Sequence, residues 1–500
     1  MPPASIAVLG GGLTGLSSAF HLSRRFPEAQ IIVLNKQTRF GGWVRSDRVQ
    51  LNGSGETESS VLLEAGPRTL RPNSKPVLEL ASIVAEGLYQ DQIHLLDLKS
   101  SLITVPKTSP AAKNRYLFSP EWPGIQPIPT SFSSLLFSPL GRILLPAVAR
   151  EPFRPRNRPP HLTDESVNSF LARRFGVKFA AMFGSALVHG IYAADSRKLS
   201  VRTAFPTLWE AEERGRGSVV AGFLRPKKQK VEEYYELGDV PEAMRDVSVY
   251  SFKNGIGTLT EALVHDLRQK NNVKLYGGVS VTGLRANPIS KKFEVSISSN
   301  ETLHPTHVVS TLPLPRLRHI LSPSAHLPHL TSNPYSSVTV VNLVFPASSS
   351  FPLHPAGFGY LVPRPSGGYS SHDSGILGCV FDSSATASQD SSRDVVKLTV
   401  MLGGPYPISP EHLEVPTILR HLSYHLGVQL PEPLIVRVHQ HQECIPMLGV
   451  GHLDRMAELR AALHREPWGG KLEIIGAGVR GVSVGDCVES GREAGKSWTT

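Results

Sequence analysis

The chain predicts a mixed α/β (α+β) protein in which separated segments build one discontinuous dinucleotide-binding domain, joined to a mixed-sheet substrate domain and a mostly helical insert. Three observations carry this. An apolar strand, Ile6 to Leu9, runs into the glycines at 10 to 12 and leaves as a helix. Near the other end, Leu472-Glu473-Ile474-Ile475 enters Gly476-Ala477-Gly478, and a last helix opens at Gly481. Between them, from Arg115 to Arg216, the composition shifts to Pro, Phe, Leu and Arg.

The opening motif reads Gly10-Gly11-Gly12-Leu13-Thr14-Gly15. Gly10 lets the strand turn, Gly12 keeps side chains off a phosphate, and Gly15 lets the helix pack on the sheet. The helix start offers free N–H donors and a positive dipole end to a pyrophosphate, which makes the domain Rossmann-like. A second strand, Gln30 to Leu34, ends at Asn35 and Lys36, where a ribose-binding acid is expected. Next comes Arg39 to Ser46, in which Gly41 and Gly42 allow backbone donors to approach a ligand and Trp43 offers a flat face; a plain tight turn with a packed indole is the alternative. Glu64 to Pro72 follows an apolar strand and fixes Gly66, Pro67, Arg68, Thr69 and Arg71 in a proline-bounded turn.

The 500 residues, 40 % hydrophobic, can bury a large core, and their number suggests two or three domains. Cys379, Cys444 and Cys487 show no disulfide or zinc spacing. No apolar run reaches the roughly 20 residues of a membrane span, and Met1 to Ser5 leave no room for a presequence before the first strand. The formal charge of +10 favours acidic partners, yet the basic residues are scattered and no nucleic-acid motif is present. No metal cluster or Ser/His/Asp arrangement emerges, and the nineteen histidines are scattered. The expectation is no metal and no nucleic acid.

Phe132 to Val148 is apolar, broken by prolines and followed by Arg150, Arg154, Arg156 and Arg158. It suits a membrane interface, or else a helical subdomain that buries the same side chains. Ser166 to Phe175 and Phe179 to Val188 have helical spacing. From Tyr250 the chain reads as a turn and helix, then strands at Val273–Tyr276, Val279–Leu284, Lys292–Ser298 and Val308–Thr311. Ser336–Leu343 and Lys397–Leu402 alternate as strands of a broad sheet.

Taken together, GGGLTGLSSAFHLSRR, RFGGWVRS at Arg39, AGPRTLRP at Ala65, NRYL at Asn114, IYAADSRKLSVRTAFPTLWEAE at Ile191, GSVVAGF at Gly217, AGFGYLVP at Ala356, VMLGG at Val400 and GVSVGDCVESGREAG at Gly481 resemble the protoporphyrinogen oxidases. These belong to the superfamily of FAD-binding amine oxidases and phytoene desaturases. The resemblance covers nearly the whole chain, with Arg225–Val249 and Ser366–Asp394 standing out as surface insertions. It implies an FAD-dependent, six-electron oxidation of protoporphyrinogen IX to protoporphyrin IX by oxygen, giving hydrogen peroxide. Arg115 would hold a substrate propionate, with Phe358, Leu361, Met401 and Ala194 (beside Ala193) lining the slot. Val281 would touch the adenine side of FAD, and Val482, Ser483 and Val484 would start the helix that meets the flavin. The flavin performs the chemistry, so no catalytic side chain is implied.

On this reading the FAD-binding domain comprises 1–80, 250–314 and 437–500; the substrate domain 81–110, 217–249 and 315–436; and a membrane-associating helical domain 111–216. The resemblance also implies a peripheral place on the mitochondrial inner membrane, a homodimer, and transfer of product to ferrochelatase. Asn35 departs from the usual glutamate, so FAD affinity should fall by about 1 kcal/mol. Two other readings are an oxidase of amines or polyenes, and a binding protein of this fold without flavin.

Overall fold

The computed structural model describes residues 2–51, 59–90, 101–227, 233–237, 240–322, 326–347, 352–392 and 394–498. A five-stranded sheet has the order Leu472–Ile474, His307–Ser310, Ser5–Leu9, Gln30–Asn35, Val273–Gly277. All four pairings are parallel. Both ends of the chain and its middle thus meet in one sheet, which accounts for strands that read as continuous apolar runs: both of their faces are covered.

One face packs the helix Leu13–Arg25, with Leu16, Ala19, Phe20 and Leu22 buried beside Val488 of the last helix. The helix Lys75–Gln90 joins the same core through Val77, Leu78, Leu80 and Ala81, so it runs across the expected boundary at residue 80. The expected strand at 279–284 lies at Val281–Asn287, in a separate three-stranded sheet.

The second large sheet has seven strands in the order Ile435–Pro446, Tyr335–Pro346, Val395–Gly403, Ile376–Phe381, Gly359–Leu361, Tyr116–Phe118, Ile125–Pro127. Ser366–Asp394 is therefore not a surface insertion. Its strand Ile376–Phe381 is central and buried, and its Asp390 pairs with Lys397 at 2.8 Å, both side chains 3 % exposed. The stretch fits the resemblance poorly, which set it apart as an insertion, and burial of its aspartates needs partners distant in the chain. Arg225–Val249 differs in part as well: Val247 and Val249 are buried in the strand Val247–Phe252, paired with Leu102–Pro106.

The insert is helical only from Phe132 on; Tyr116–Phe118 and Ile125–Pro127, within the expected helical domain 111–216, pair instead into the substrate sheet. Phe132–Phe137 and Gly141–Arg150 are followed by Val167–Phe175, capped by Ser166, and by Ser185–Tyr192. Its interior holds ion pairs: Arg174 meets Glu151 at 2.7 Å with both side chains fully buried. Glu151 also accepts from Val219 N at 2.8 Å and Ser218 Oγ at 2.6 Å, so that charge is fully bonded.

Candidate active site between the two sheets

At the tip of the first strand the glycines meet steric demands of the turn. Gly10 has φ +107°, and a Cβ on Gly15 would stand 1.8 Å from Gly10 O. A Cβ added to Gly12 would meet nothing nearer than Gly42 Cα, at 3.9 Å. The Arg39–Ser46 loop docks here, with Gly41 N donating to Gly11 O at 2.8 Å. Helix Leu13–Arg25 starts after Gly12 with no side-chain cap and no acid in its first turn. Among the described residues no side chain caps the first-turn N–H groups of this helix, which are the donors a pyrophosphate requires. These residues fit FAD.

Asn35 is engaged on three sides. Its Oδ1 accepts from Gly11 N at 3.2 Å, and its Nδ2 donates to Gln37 O and Arg39 O, each at 2.8 Å. An amide can do this and a carboxylate cannot, since a carboxylate has no donors. Lys36 is exposed. Val279 N donates to Asn35 O at 2.9 Å, which brings the strand with half-buried Val281 to the same end of the sheet.

Gly66 lies against the Trp43 loop, a Cβ there coming within 2.4 Å of Trp43 O. Pro67 and Thr69 are half-buried, whereas Arg68 is buried and bonded to Asp382 at 3.0 Å. Thr399 Oγ1 donates to Asp382 at 2.6 Å and Asn342 Nδ2 to Glu64 O at 3.2 Å, so the turn sits on the broad sheet. Asn342 Oδ1 is buried with no partner. Burial raises the Glu64 carboxyl to about 7, against bonds from Ser46 Oγ and Ile256 N that favour its ionised form.

Trp43 is 47 % exposed, with its ring edge-on to His441 at 4.9 Å. His441 Nε2 lies 2.6 Å from Ala65 O; a carbonyl only accepts, so the proton is on Nε2. His439 Nε2 is buried without a partner. Sequence reasoning passed over this pair, although His439-Gln440-His441 on a strand puts both rings on one face.

In the substrate sheet, Arg115 Cζ lies 5.7 Å from the centre of the Phe358 ring. Its Nη1 donates to Ala112 O at 2.8 Å, and Phe358 N donates to Asn114 O at 3.0 Å. Leu361, Gly378, Met401, Val340 and His439 stand in register across five strands, on one face. Met401 packs with Ala193, Val340 and Tyr406, while Leu361 packs with Leu117, Leu140 and Ala186. Ala194 instead faces the interior of the helical insert. Ala193 takes the left-handed conformation at φ +46°, where glycine would be unstrained.

At the last helix, Val482 and Val484 are half-buried and Ser483 is exposed. Ser483 caps Asp486 N at 3.0 Å, and Asp486 returns the bond to Ser483 N at 3.1 Å. The positive end of the helix expected to meet the flavin thus already holds a carboxylate, which reduces that field.

Residues 13–496 match the family of flavin containing amine oxidoreductases. The protoporphyrinogen oxidase of Schizosaccharomyces pombe is 31 % identical over 516 residues, covering 98 % of each chain. That of Homo sapiens is 32 % identical over 510 residues, covering 99 % of this chain and 98 % of its own. Among solved structures, reduced UDP-galactopyranose mutase superimposes with a TM-score of 0.67 at 14 % identity, over 99 % of this chain and 93 % of the other. Cyclohexylamine oxidase from Brevibacterium oxydans gives 0.61 at 16 % identity, over 99 % and 98 %. At those identities the likeness establishes the fold.

Proposed function

The chain belongs to the protoporphyrinogen oxidases within the flavin containing amine oxidoreductases, and from that premise we propose that it removes six electrons from protoporphyrinogen IX to give protoporphyrin IX, with oxygen as terminal acceptor and hydrogen peroxide as by-product. It is an oxidoreductase of porphyrin synthesis and its cofactor is FAD. Bound flavin supplies the hydride-accepting chemistry.

The chain's own part is to bind, orient and dry the substrate. The observation that carries this is the half-buried Arg115, stacked over Phe358 and, among the described residues, without an acid partner. A flat macrocycle bearing a propionate suits that pair, because a desolvated carboxylate needs a charge-assisted donor and the ring needs an apolar face. Leu361 and Met401 give the sheet an apolar face, in clusters separate from the one in which Phe358 packs with Val105 and Val249.

The same proposal places the protein peripherally on the mitochondrial inner membrane, with homodimerisation and direct transfer of product to ferrochelatase. Phe137 at 83 % exposure and Phe153 at 89 % support an interfacial attachment, with Arg142, Arg150 and Arg154 close by in sequence. Among the described residues no helix is long and apolar enough to cross a membrane.

The test is twofold. Purified protein should absorb near about 450 nm, as bound flavins do; its absence would favour the flavin-free binding protein. Peroxide should form with protoporphyrinogen IX, compared side by side with coproporphyrinogen and an amine, and no peroxide with either porphyrinogen would overturn the reading.

A further inference from the structure

Glu64 stands where three segments of the candidate flavin site meet. It ends the strand Ser60–Glu64 and opens the turn that carries Gly66, Pro67 and Arg68. Opposite it in antiparallel register is Ser46, at the end of the loop that holds Gly41, Gly42 and Trp43. Ser46 Oγ donates to Glu64 Oε2 at 2.7 Å and accepts from Gly257 N at 2.9 Å, while Ile256 N donates to Glu64 Oε1 at 2.9 Å. One side chain thus ties both loops to the start of the helix Gly257–Gln269. The same helix backs the glycine loop, since a Cβ on Gly41 would stand 3.0 Å from Thr260 Oγ1.

The clamp suits a carboxylate. Both oxygens of Glu64 receive donors, and only the ionised group accepts at both without offering a proton of its own. The packing is close: a Cβ on Gly255 would lie 2.2 Å from Ser46 Oγ and 2.6 Å from Glu64 Oε1. Yet Glu64 is 5 % exposed, and among the described residues no cation is bonded to it. The charged groups that face it, Arg68 and Asp382, are joined to each other at 3.0 Å. Arg45, on the facing strand, pairs with Asp47 at 2.9 Å, and His441 reaches Ala65 O rather than the carboxyl. A buried carboxylate held by neutral donors alone weakens the fold, and a chain that keeps one is expected to do so where function needs it.

We propose that Glu64 is a positioning residue of the flavin site, whose ionised form holds the Trp43 loop and the Gly66 turn in the geometry that grips FAD, so that binding of FAD releases the Glu64 proton to solvent. This rests on the FAD reading of the two loops. By linkage, a ligand that prefers the ionised form weakens the carboxyl's hold on its proton by the same factor. FAD is therefore held more tightly as pH rises through the carboxyl's range, and the gain levels off above it. Burial raises that range to about 7, where FAD itself does not titrate.

The experiment dilutes the holoenzymes of wild type, Glu64→Gln and Ser46→Ala at a series of pH values and reads the FAD released from free-flavin fluorescence. An indicator dye in weak buffer counts the protons taken up on release. Wild type should hold FAD about three- to tenfold more tightly at about pH 8 than at about pH 6, and below the inflection it should take up close to one proton per FAD released. Glu64→Gln cannot ionise and should show neither effect. Ser46→Ala removes a donor to the carboxylate, so it should loosen FAD near neutral pH and move the inflection upward. An equal slope and proton count in Glu64→Gln would overturn the proposal. So would a wild type that takes up no proton, since a merely structural carboxyl alters melting temperature alone. FAD held without a pH slope overturns this proposal only, whereas no FAD held at any pH would overturn the cofactor assignment with it.

Discussion

Arg68 Nη1 and Asp382 Oδ1 lie 3.0 Å apart in the protein interior although 314 positions separate them in the chain. The pair ties the turn beside the candidate flavin site to the centre of the substrate sheet. Removing one partner leaves an uncompensated buried charge, so Asp382→Ala should destabilise the protein by about 3–5 kcal/mol. Arg68→Ala made in that background should cost far less than it does alone, as denaturant midpoints of a double-mutant cycle would report. Additive losses would mean that the two do not interact.

Glu64 makes stability depend on pH in a direction that can be worked out. Its carboxyl is raised from 4.5 to about 7 in the fold, so between those values the unfolded chain gives up a proton that the folded one keeps. Stability therefore falls as pH rises through that window, and the penalty, about 3 kcal/mol, is complete above 7. Glu64→Gln should remove this term. The difference in unfolding free energy between variant and wild type, measured from pH 4 to 8, should shift in favour of the variant with rising pH. A flat difference would show an ordinary carboxyl.

The Asn35 amide holds three backbone groups at once, and two of those bonds use donors that glutamate lacks. Asn35→Glu should accordingly lower apoprotein stability by about 1–3 kcal/mol. A carboxylate repelled by those carbonyls turns toward the ribose, so FAD should bind more tightly despite the weaker apoprotein. Calorimetric titration with FAD alongside apoprotein melting separates the two effects, and unchanged affinity would remove residue 35 from the ribose.

Arg115→Ala should raise KM for protoporphyrinogen about ten- to hundredfold with a smaller change in kcat, because a propionate remote from the reacting carbon gives mainly uniform binding. Steady-state kinetics with unaltered KM would take Arg115 out of the site.

For the membrane, the exposed Leu136 and Phe137 are the residues to change, since half-buried Leu135 lies where its carbonyl packs under Gly141. Leu136→Ser with Phe137→Ser should release the protein from cardiolipin-containing vesicles while FAD stays bound and detergent-assayed activity persists. Co-sedimentation equal to wild type would leave these residues as incidental surface.

By itself the sequence determined the cofactor domain. Its glycines, the strand before them and the helix after them obey rules that act within some fifteen residues, where backbone sterics and unpaired helix N–H groups decide the outcome. The alternating strands at 336–343 and 397–402 were legible for the same local reason, and so was the helical character of the insert. Only the tertiary structure decided what long-range pairing controls. Ile376–Phe381 became a central strand because Arg68 and Lys397 supply the charges that let Asp382 and Asp390 be buried. Asn35 found three backbone partners in loops that a linear motif does not place. His439 and His441 came to one face through strand register, and Arg68 was buried on Asp382 while Arg71, three residues on, stayed exposed. In each case a polar group was fixed by a partner far away in the chain, and no local pattern of residues encodes that partner.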